Sequence, residues 1–352
     1  MKAANSLILP PFSALYSLAT RLRLAAYRRH LLSVSKLDAV VISVGNITTG
    51  GTGKTPLVEW ISRVLANEGK RVCVLTRGYR RQNPNAQVVV SNGHKILAEV
   101  AAAGDEPLLL ARNLLGFAAV VCNSNRSEAG RWAINNLQAE VFVLDDGFQH
   151  LQLARDLNIV TVDATNPWGG GMLPVGQLRE PLSSLARADC FVLTRTDEEP
   201  DQPAIIAELQ KKVDSKPIFR SRMLTTGLRR LGGETLDQVS SIQKPVAAFC
   251  GVGNPESFFN HLRREGFELT VARAFPDHYN YQQIDVDRIV AEANGKGAAG
   301  ILTTAKDAVK LSSLHFAVPC YVLEIRISIE DEAQLIQIIR NQLNELFATQ
   351  SS

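Results

Sequence analysis

Apolar residues fall in two patterns along most of this chain. Short unbroken apolar runs mark strands buried on both faces, and longer stretches with apolar positions three and four apart mark helices. From residue 39 the two alternate. Ala39–Val44 reads as a buried strand followed by a glycine-rich turn. A helix is then expected from about 55 to 67, with Leu57, Trp60, Ile61, Val64 and Leu65 on one face. Gly69 stops it, and Arg71–Leu75 is the next strand. Similar units follow, with strands at 118–122, 141–144, 158–162, 190–194 and 217–222. Such repetition implies parallel pairing and a doubly wound, mostly parallel α/β sheet over residues 31–222. Residues 223–244 contain Gly227, Gly232 and Gly233 and few long apolar runs, and read as a hairpin-type linker. A second, smaller α/β domain is expected over 245–352. It has a strand at 245–250, a helix at 255–265, strands at 267–274, 299–303 and 319–325, and a helix at 330–347 that can pack back on the first domain.

The first 30 residues differ from the rest. Phe12, Leu15, Leu18, Leu22 and Ala25 recur at helical spacing, accompanied by Tyr16, Tyr27 and several arginines. An amphipathic helix lying in a membrane interface fits this pattern best. The competitors are a helix packed on its own domain and a cleaved signal peptide. In a signal peptide the cations precede the apolar stretch, whereas here most follow it. The apolar stretch is also too short, and too interrupted by Pro10-Pro11, to cross a bilayer.

Composition sharpens this split. With 45% hydrophobic and 21% charged residues the chain is an ordinary folded protein, not a disordered, collagen-like or polytopic membrane one. Its net charge is only +3, yet Lys2, Arg21, Arg23, Arg28 and Arg29 give the first 30 residues +5 with no acid, leaving −2 on the remainder. The charge pattern asks for no nucleic acid, and a monomer is expected. The five cysteines have no metal-binding or redox spacing and sit mostly among apolar residues, so they read as small buried hydrophobes in a reducing setting.

The sharpest chemical signal is Gly50-Gly51-Thr52-Gly53-Lys54-Thr55, between an expected strand and helix. Glycines let backbone N–H groups converge on phosphate oxygens, and the helix N-terminus adds its positive end. Lys54 is placed to reach the β- and γ-phosphates and the Thr55 hydroxyl to ligate Mg²⁺, which makes the fold P-loop NTPase-like. The first glycine of the usual pattern falls on Thr48, so Thr48 and Thr49 open a loop whose turns Gly50 and Gly51 must supply. Val141–Leu144 runs into Asp145 and Asp146, one of which is expected to hold the Mg²⁺ shell. Gln149 lies on the same edge, within reach of a substrate. Thr194-Arg195-Thr196-Asp197 has Arg where a guanine-reading motif needs Lys, and reads as a strand end and turn.

Several blocks around these motifs resemble the tetraacyldisaccharide 4′-kinases. They are Gly45-Asn46-Ile47-Thr48, Thr76-Arg77-Gly78-Tyr79, Gly104-Asp105-Glu106-Pro107, Asp145-Asp146-Gly147-Phe148-Gln149-His150 and Leu178-Arg179-Glu180-Pro181. Further on come Gly251-Val252-Gly253-Asn254-Pro255, Pro276-Asp277-His278-Tyr279 and Lys306-Asp307. The blocks span about 40–310 in family order. The resemblance implies transfer of phosphate from Mg-ATP to the 4′-hydroxyl of a tetraacylated glucosamine disaccharide 1-phosphate in lipid A synthesis. It also implies a place on the cytoplasmic face of the Gram-negative inner membrane, with the N-terminal helix at the bilayer. Two departures stand out. Tyr279 follows His278 where the family often has a second histidine, and Ala305 precedes Lys306 where Glu is common.

The resemblance pairs Asp105 with His278 as an acid–base dyad beside Lys54, although residue type alone makes both ordinary turn residues. It places Glu106 with Thr55, Asp145 and Asp146 near the metal. Asn46, Arg77, Tyr79, Arg126, Gln149, Arg179 and Glu180 become candidate substrate contacts, the arginines because their planar forks suit phosphate oxygens. His278 lies in the second domain, so domain closure is expected to complete the dyad. Two other functions fit the phosphate loop: a kinase of a soluble metabolite, which has no need of the basic apolar leader, and an NTPase switch that only hydrolyses nucleotide.

Overall fold

The computed structural model describes residues 5–79, 81–213, 215–239, 242 and 245–350. Lys2 of the basic leader and residues 240, 241, 243 and 244 of the expected linker lie outside them. The chain opens with α1 (Asn5–Arg28), which continues through Pro10 and Pro11. The first half then runs β1 (Val40–Gly45), α2 (Lys54–Asn67), β2 (Val72–Thr76), β3 (Val88–Ser91), α3 (Val100–Ala103), α4 (Asp105–Asn113), β4 (Ala118–Cys122), α5 (Arg126–Leu137), β5 (Val141–Asp145), β6 (Leu157–Asp163), β7 (Cys190–Thr194) and α6 (Gln202–Val213). The second comprises β8 (Ile218–Arg230), β9 (Leu236–Asp237), β10 (Val246–Cys250), α7 (Pro255–Arg264), β11 (Leu269–Ala274), α8 (Gln283–Gly295), β12 (Ile301–Thr304), α9 (Ala305–Leu311), β13 (Cys320–Ile329) and α10 (Glu332–Gln350).

The unbroken apolar runs are central strands. β1, β2, β4, β5 and β7 are buried at every residue, with helices packed over both faces. Their order is β7-β6-β1-β5-β2-β4, all parallel, with the short strand β3 added antiparallel at the edge. Strand β3 was not foreseen, since Val88–Ser91 is too short to show a clear period.

The largest departure concerns the expected linker. Residues 223–230 are not a loop but the second half of β8, a 13-residue strand. Ile218–Arg220 pairs parallel with β7, while Ser221–Arg230 pairs antiparallel with β13. Strands β12, β10 and β11 then follow β13 in parallel, so one sheet runs through both halves. Of the glycines that suggested a hairpin, Gly227 lies in the strand, where a Cβ would lie 2.7 Å from the Asp237 carbonyl, while Gly232 (φ +79°) and Gly233 form the turn into β9, which pairs back antiparallel on β8.

This pairing decides where the site lies. Strands of the first half run toward the distal part of β8, and those of the second run back against it. The carboxyl ends of both parallel sets therefore face one cleft, the usual place for ligands in open α/β sheets. The last helix belongs to the first half by its packing: Leu335, Ile339 and Leu343 join the core cluster of β1 and α2, and Arg340 pairs with Glu68 at 2.7 Å. All five cysteines are free and buried, and burial pushes the thiols of Cys122, Cys190 and Cys250 up to about 12. Such thiols stay protonated, as their apolar neighbours led one to expect.

Candidate active site

The phosphate loop leaves β1 and enters α2, with Lys54 and Thr55 as the first residues of the helix. Thr48 is extended and bridges Leu178, and the Thr49 N–H donates to Gln177 O at 2.8 Å. A glycine is thus unnecessary at Thr48. The left-handed turns fall instead on Gly50 (φ +104°) and Gly53 (φ +74°). A Cβ on Gly50 or Gly51 would meet nothing within 4 Å, so the space over the loop is open to phosphate. The underside is fixed by polar contacts that sequence reasoning did not single out. Thr52 Oγ1 lies 2.8 Å from Thr161 Oγ1, and Arg195, read only as a turn residue, pairs with Asp163 and donates to Gly51 O.

Lys54 Nζ lies 3.2 Å from Asn46 Oδ1 and 3.6 Å from Asp146 Oδ1. Arg179 binds Asp146 through both Nη atoms, at 2.7 and 2.8 Å. The two adjacent acids of β5 and the turn after it consequently diverge. Burial works against charge on Asp146, but Lys54 and Arg179 outweigh it and hold its carboxyl well below the ordinary range. Among the described residues Asp145 has one side-chain hydrogen bond, from the Thr76 hydroxyl at 3.1 Å, and burial, with Glu106 and Asp146 nearby, pushes it up to about 6 against the pull of Lys54. Asp145 therefore carries the uncompensated charge, the condition that suits a divalent cation.

A stability effect follows. The protonated form of Asp145 is favoured in the folded state, so this group stabilises below the unfolded value near 3.8, and that contribution is lost as pH rises through about 6. The shift corresponds to about 3 kcal/mol. Without Mg²⁺ and nucleotide, Asp145→Asn should melt above the wild type, by a wider margin at pH 8 than at pH 5. Melts in EDTA at the two pH values check this; an equal margin at both would show that the Asp145 charge does not drive the effect.

The second cluster joins the halves. Asp105 was expected in a turn but is the first residue of α4, where the helix dipole favours an anion. Gly104 before it has φ +89°, and a Cβ there would lie 2.9 Å from Tyr79 O. His278, in the loop after β11, has φ +61° and donates its backbone N–H to Gly251 O at 3.2 Å. Its Nδ1 lies 3.0 and 2.8 Å from the two Asp105 carboxylate oxygens. Lys306 Nζ lies 3.4 Å from His278 Nε2, 2.8 Å from Glu106 Oε1 and 3.2 Å from Asp277 Oδ1. With Lys306 donating to Nε2, the network assigns the imidazole proton to Nδ1, facing Asp105. Burial alone would raise the Asp105 carboxyl; the His278 hydrogen bond and the charges of Lys306 and Lys310 hold it below the ordinary range. Tyr279, in the place of the frequent second histidine, packs against Phe275 and Tyr281.

The remaining candidates divide. Tyr79 is exposed, with its ring 5.6 Å from that of His278, and Arg77 is exposed two residues before it. Arg126 opens α5 and is buried, its Nε without a hydrogen-bond partner among the described residues. Asn46 and Gln149 hold each other, Gln149 Nε2 donating to Asn46 O at 2.7 Å. Glu180, expected to bind sugar hydroxyls, is 1% exposed; one carboxylate oxygen pairs with Arg187 at 2.6 Å, and the other has no hydrogen-bond partner among the described residues. His150 was not singled out, yet burial and the nearby Arg126 and Arg155 push it down to about 3, leaving a neutral imidazole.

Helix α1 rests on this region through polar groups. Ser13, Tyr16 and Arg23 donate to the carbonyls of Met172, Arg179 and Gln149 at 2.9, 3.0 and 3.1 Å. Phe12, Leu15, Leu18 and Leu22 all remain more than half exposed. No helix of the described residues is long and apolar enough to cross a membrane.

Known proteins match this arrangement along nearly its whole length. The family model described as tetraacyldisaccharide-1-P 4′-kinase matches residues 5–344. The tetraacyldisaccharide 4′-kinase of Pelobacter propionicus is 40% identical over 342 residues, 96% of this chain and 92% of the relative. That of Geobacter metallireducens is 42% identical over 306 residues, covering 86% and 88%. A crystal structure of LpxK from Aquifex aeolicus in complex with ATP superposes with a TM-score of 0.78 at 33% identity, covering 97% of this chain and 99% of that one. With its phosphate loop, paired acids and Asp105–His278 contact in place, the chain belongs to the tetraacyldisaccharide-1-P 4′-kinase family.

Proposed function

We propose that this protein transfers the γ-phosphate of Mg-ATP to the 4′-hydroxyl of a tetraacylated glucosamine disaccharide 1-phosphate, the kinase step of lipid A synthesis, at the cytoplasmic face of the inner membrane. The observation that carries the chemistry is the meeting of Asp105 and His278 beside the phosphate loop, one from each half of the sheet. The site fits the nucleotide: an open glycine turn, a helix N-terminus, and Lys54 among oxygen ligands. It also fits Mg²⁺, for which the Thr55 hydroxyl offers a neutral oxygen at the helix start and Asp145 a carboxylate, Glu106 being paired with Lys306. Few protein ligands are needed where phosphates and water complete the shell. Bound there, Mg²⁺ neutralises charge on the β- and γ-phosphates.

The protein's own groups do the rest. Lys54 holds the transferring phosphate and stabilises the charge that builds on it. Asp105 accepts the proton of the 4′-hydroxyl, and His278, with its own proton at Nδ1, orients that carboxylate. Arg77 and Arg126 supply planar forks suited to acceptor or nucleotide phosphates, and Tyr79 is exposed with its ring 5.6 Å from that of His278. Asn46, Gln149 and Arg179 shape the loop and hold Asp146, so their contribution to substrate binding is through that scaffold.

Helix α1 is the membrane contact in this reading. A helix packed on its own domain turns its apolar side inward; here Leu24 is buried beside the polar contacts, but Phe12, Leu15, Leu18 and Leu22 face out among arginines. Incubation with γ-labelled ATP and an acylated disaccharide 1-phosphate in anionic vesicles tests the proposal. Label should enter the lipid, and Leu15→Asp/Leu22→Asp should lower transfer about tenfold or more on vesicles but not in detergent micelles. Label appearing on small sugars or on water alone would sink the proposal in favour of a metabolite kinase or an NTPase switch.

A further inference from the structure

Asp105 has another neighbour besides His278 and Lys306. Lys310, one turn after Lys306 on α9, has a side chain only 7% exposed. Its Nζ lies 3.2 Å from Asp307 Oδ1 and 3.8 Å from Asp105 Oδ2, and 5.3 Å from the centroid of the Tyr281 ring. It makes no directed hydrogen bond among the described residues. Burying an ammonium is costly unless its partners compensate, and an apolar side chain would fill the same space without that cost.

Its partner Asp307 is fully buried and held on all sides. Gly251 N–H donates to Asp307 Oδ2 at 3.0 Å, Thr304 Oγ1 lies 2.7 Å from the same oxygen, and the Tyr281 hydroxyl donates to Oδ1 at 3.0 Å. Asp307 thus fixes the Lys310 ammonium at one point. Among the described residues, Asp105, across the cleft on α4, has the one other carboxylate within ion-pair distance of that ammonium.

We propose that Lys310 is a positioning residue for phosphoryl transfer, its ammonium steadying the Asp105 carboxylate from the second half while His278 orients it from another side. The proposal rests on the reading of Asp105 as the base. Lys310 does not touch the reacting atoms and acts through Asp105. The carboxylate is consequently set in place only where the carboxyl ends of the two strand sets meet, because both its orienting groups come from the second half. Asp307 has a role under this scheme that its burial alone leaves unexplained: it anchors the lysine and, through the Gly251 N–H, the loop whose carbonyl receives the His278 backbone N–H.

The test is steady-state kinetics on the full chain for Lys310→Met, Lys310→Arg, Asp105→Asn and the double variant Asp105→Asn/Lys310→Met, with melting curves for each. Lys310→Met should lower kcat about 10- to 100-fold, the scale of a misplaced catalytic group, with KM for ATP within about twofold. Lys310→Arg should recover part of the loss by restoring the cation. In the Asp105→Asn background the same lysine change should cost less than about twofold, because residues acting as a unit are not additive. Full kcat in Lys310→Met beside a crippled Asp105→Asn would overturn the role of Lys310 alone. An equal loss from Lys310→Met with and without Asp105 would also overturn it, marking a packing effect. Wild-type rate in Asp105→Asn would overturn the base itself, and the proposal with it. Should the methionine variant fail to fold, Lys310→Gln, which keeps a donor without the charge, carries the same comparison.

Discussion

Asp105→Asn should lower the rate of phosphoryl transfer about 10²- to 10⁴-fold, the span that a positioned general base contributes. Asparagine keeps the shape of the side chain and can still meet His278 Nδ1, which lies 2.8 Å from the nearer oxygen, but it cannot accept a proton from a hydroxyl. His278→Ala should fall short of that loss, since it removes the group that orients the base and leaves the base in place. Nucleotide affinity should hold in both, because the phosphate loop and Lys54 make no direct contact with the dyad. Single-turnover transfer of labelled γ-phosphate, run beside equilibrium ATP binding, separates the two quantities. If Asp105→Asn transferred phosphate at the wild-type rate, proton removal would have to be assigned elsewhere.

Lys54→Met should cost about 10²- to 10³-fold in kcat, roughly the 2.7–4 kcal/mol that one preorganised donor supplies to developing charge. The ground-state structure should change little. Asp146 keeps both contacts to Arg179, at 2.7 and 2.8 Å, and the Asn46 side-chain oxygen keeps its contact to Arg179 as well. A melting temperature near that of the wild type with a collapsed kcat is therefore the expected signature. A large drop in stability at unchanged kcat would instead make Lys54 a structural partner of Asp146. The contrast with Asp145→Asn, which should raise stability above pH 6, separates the two neighbouring acids: one is already compensated, the other is not.

Much of the fold was readable before any coordinates. Apolar runs such as Val141–Leu144 are buried on both sides, where nothing but an inner parallel strand fits, so type and approximate bounds of each were clear. The glycine turn between strand and helix named the phosphate site for the same local reason. Short elements gave weaker signals. β3 is four residues long, and Asp105, a turn residue by type, opens a helix in which Pro107 is tolerated because it lies in the first turn. Helix α9, seven residues long and carrying Lys306 and Lys310 one turn apart, was not foreseen, and nothing local says that it meets Asp105.

The sequence by itself thus determined what depends on neighbours within a few residues: the strands, the phosphate turn, the paired acids, and the helical spacing of the apolar residues in α1. The tertiary structure decided what depends on residues far apart. The glycines of residues 223–233 looked like a linker because a strand's hydrogen-bond partners, here β13 nearly a hundred residues on, are invisible to local pattern. That pairing turns the second half around and brings His278 and Lys310 to Asp105, across separations of 173 and 205 residues. It also fixes which charges are compensated: Glu180 is buried against Arg187, Asp146 is gripped by Arg179, and Asp145 is left with charge to spare. A carboxylate's chemistry is set by the field and solvent around it, and only the packed molecule supplies those.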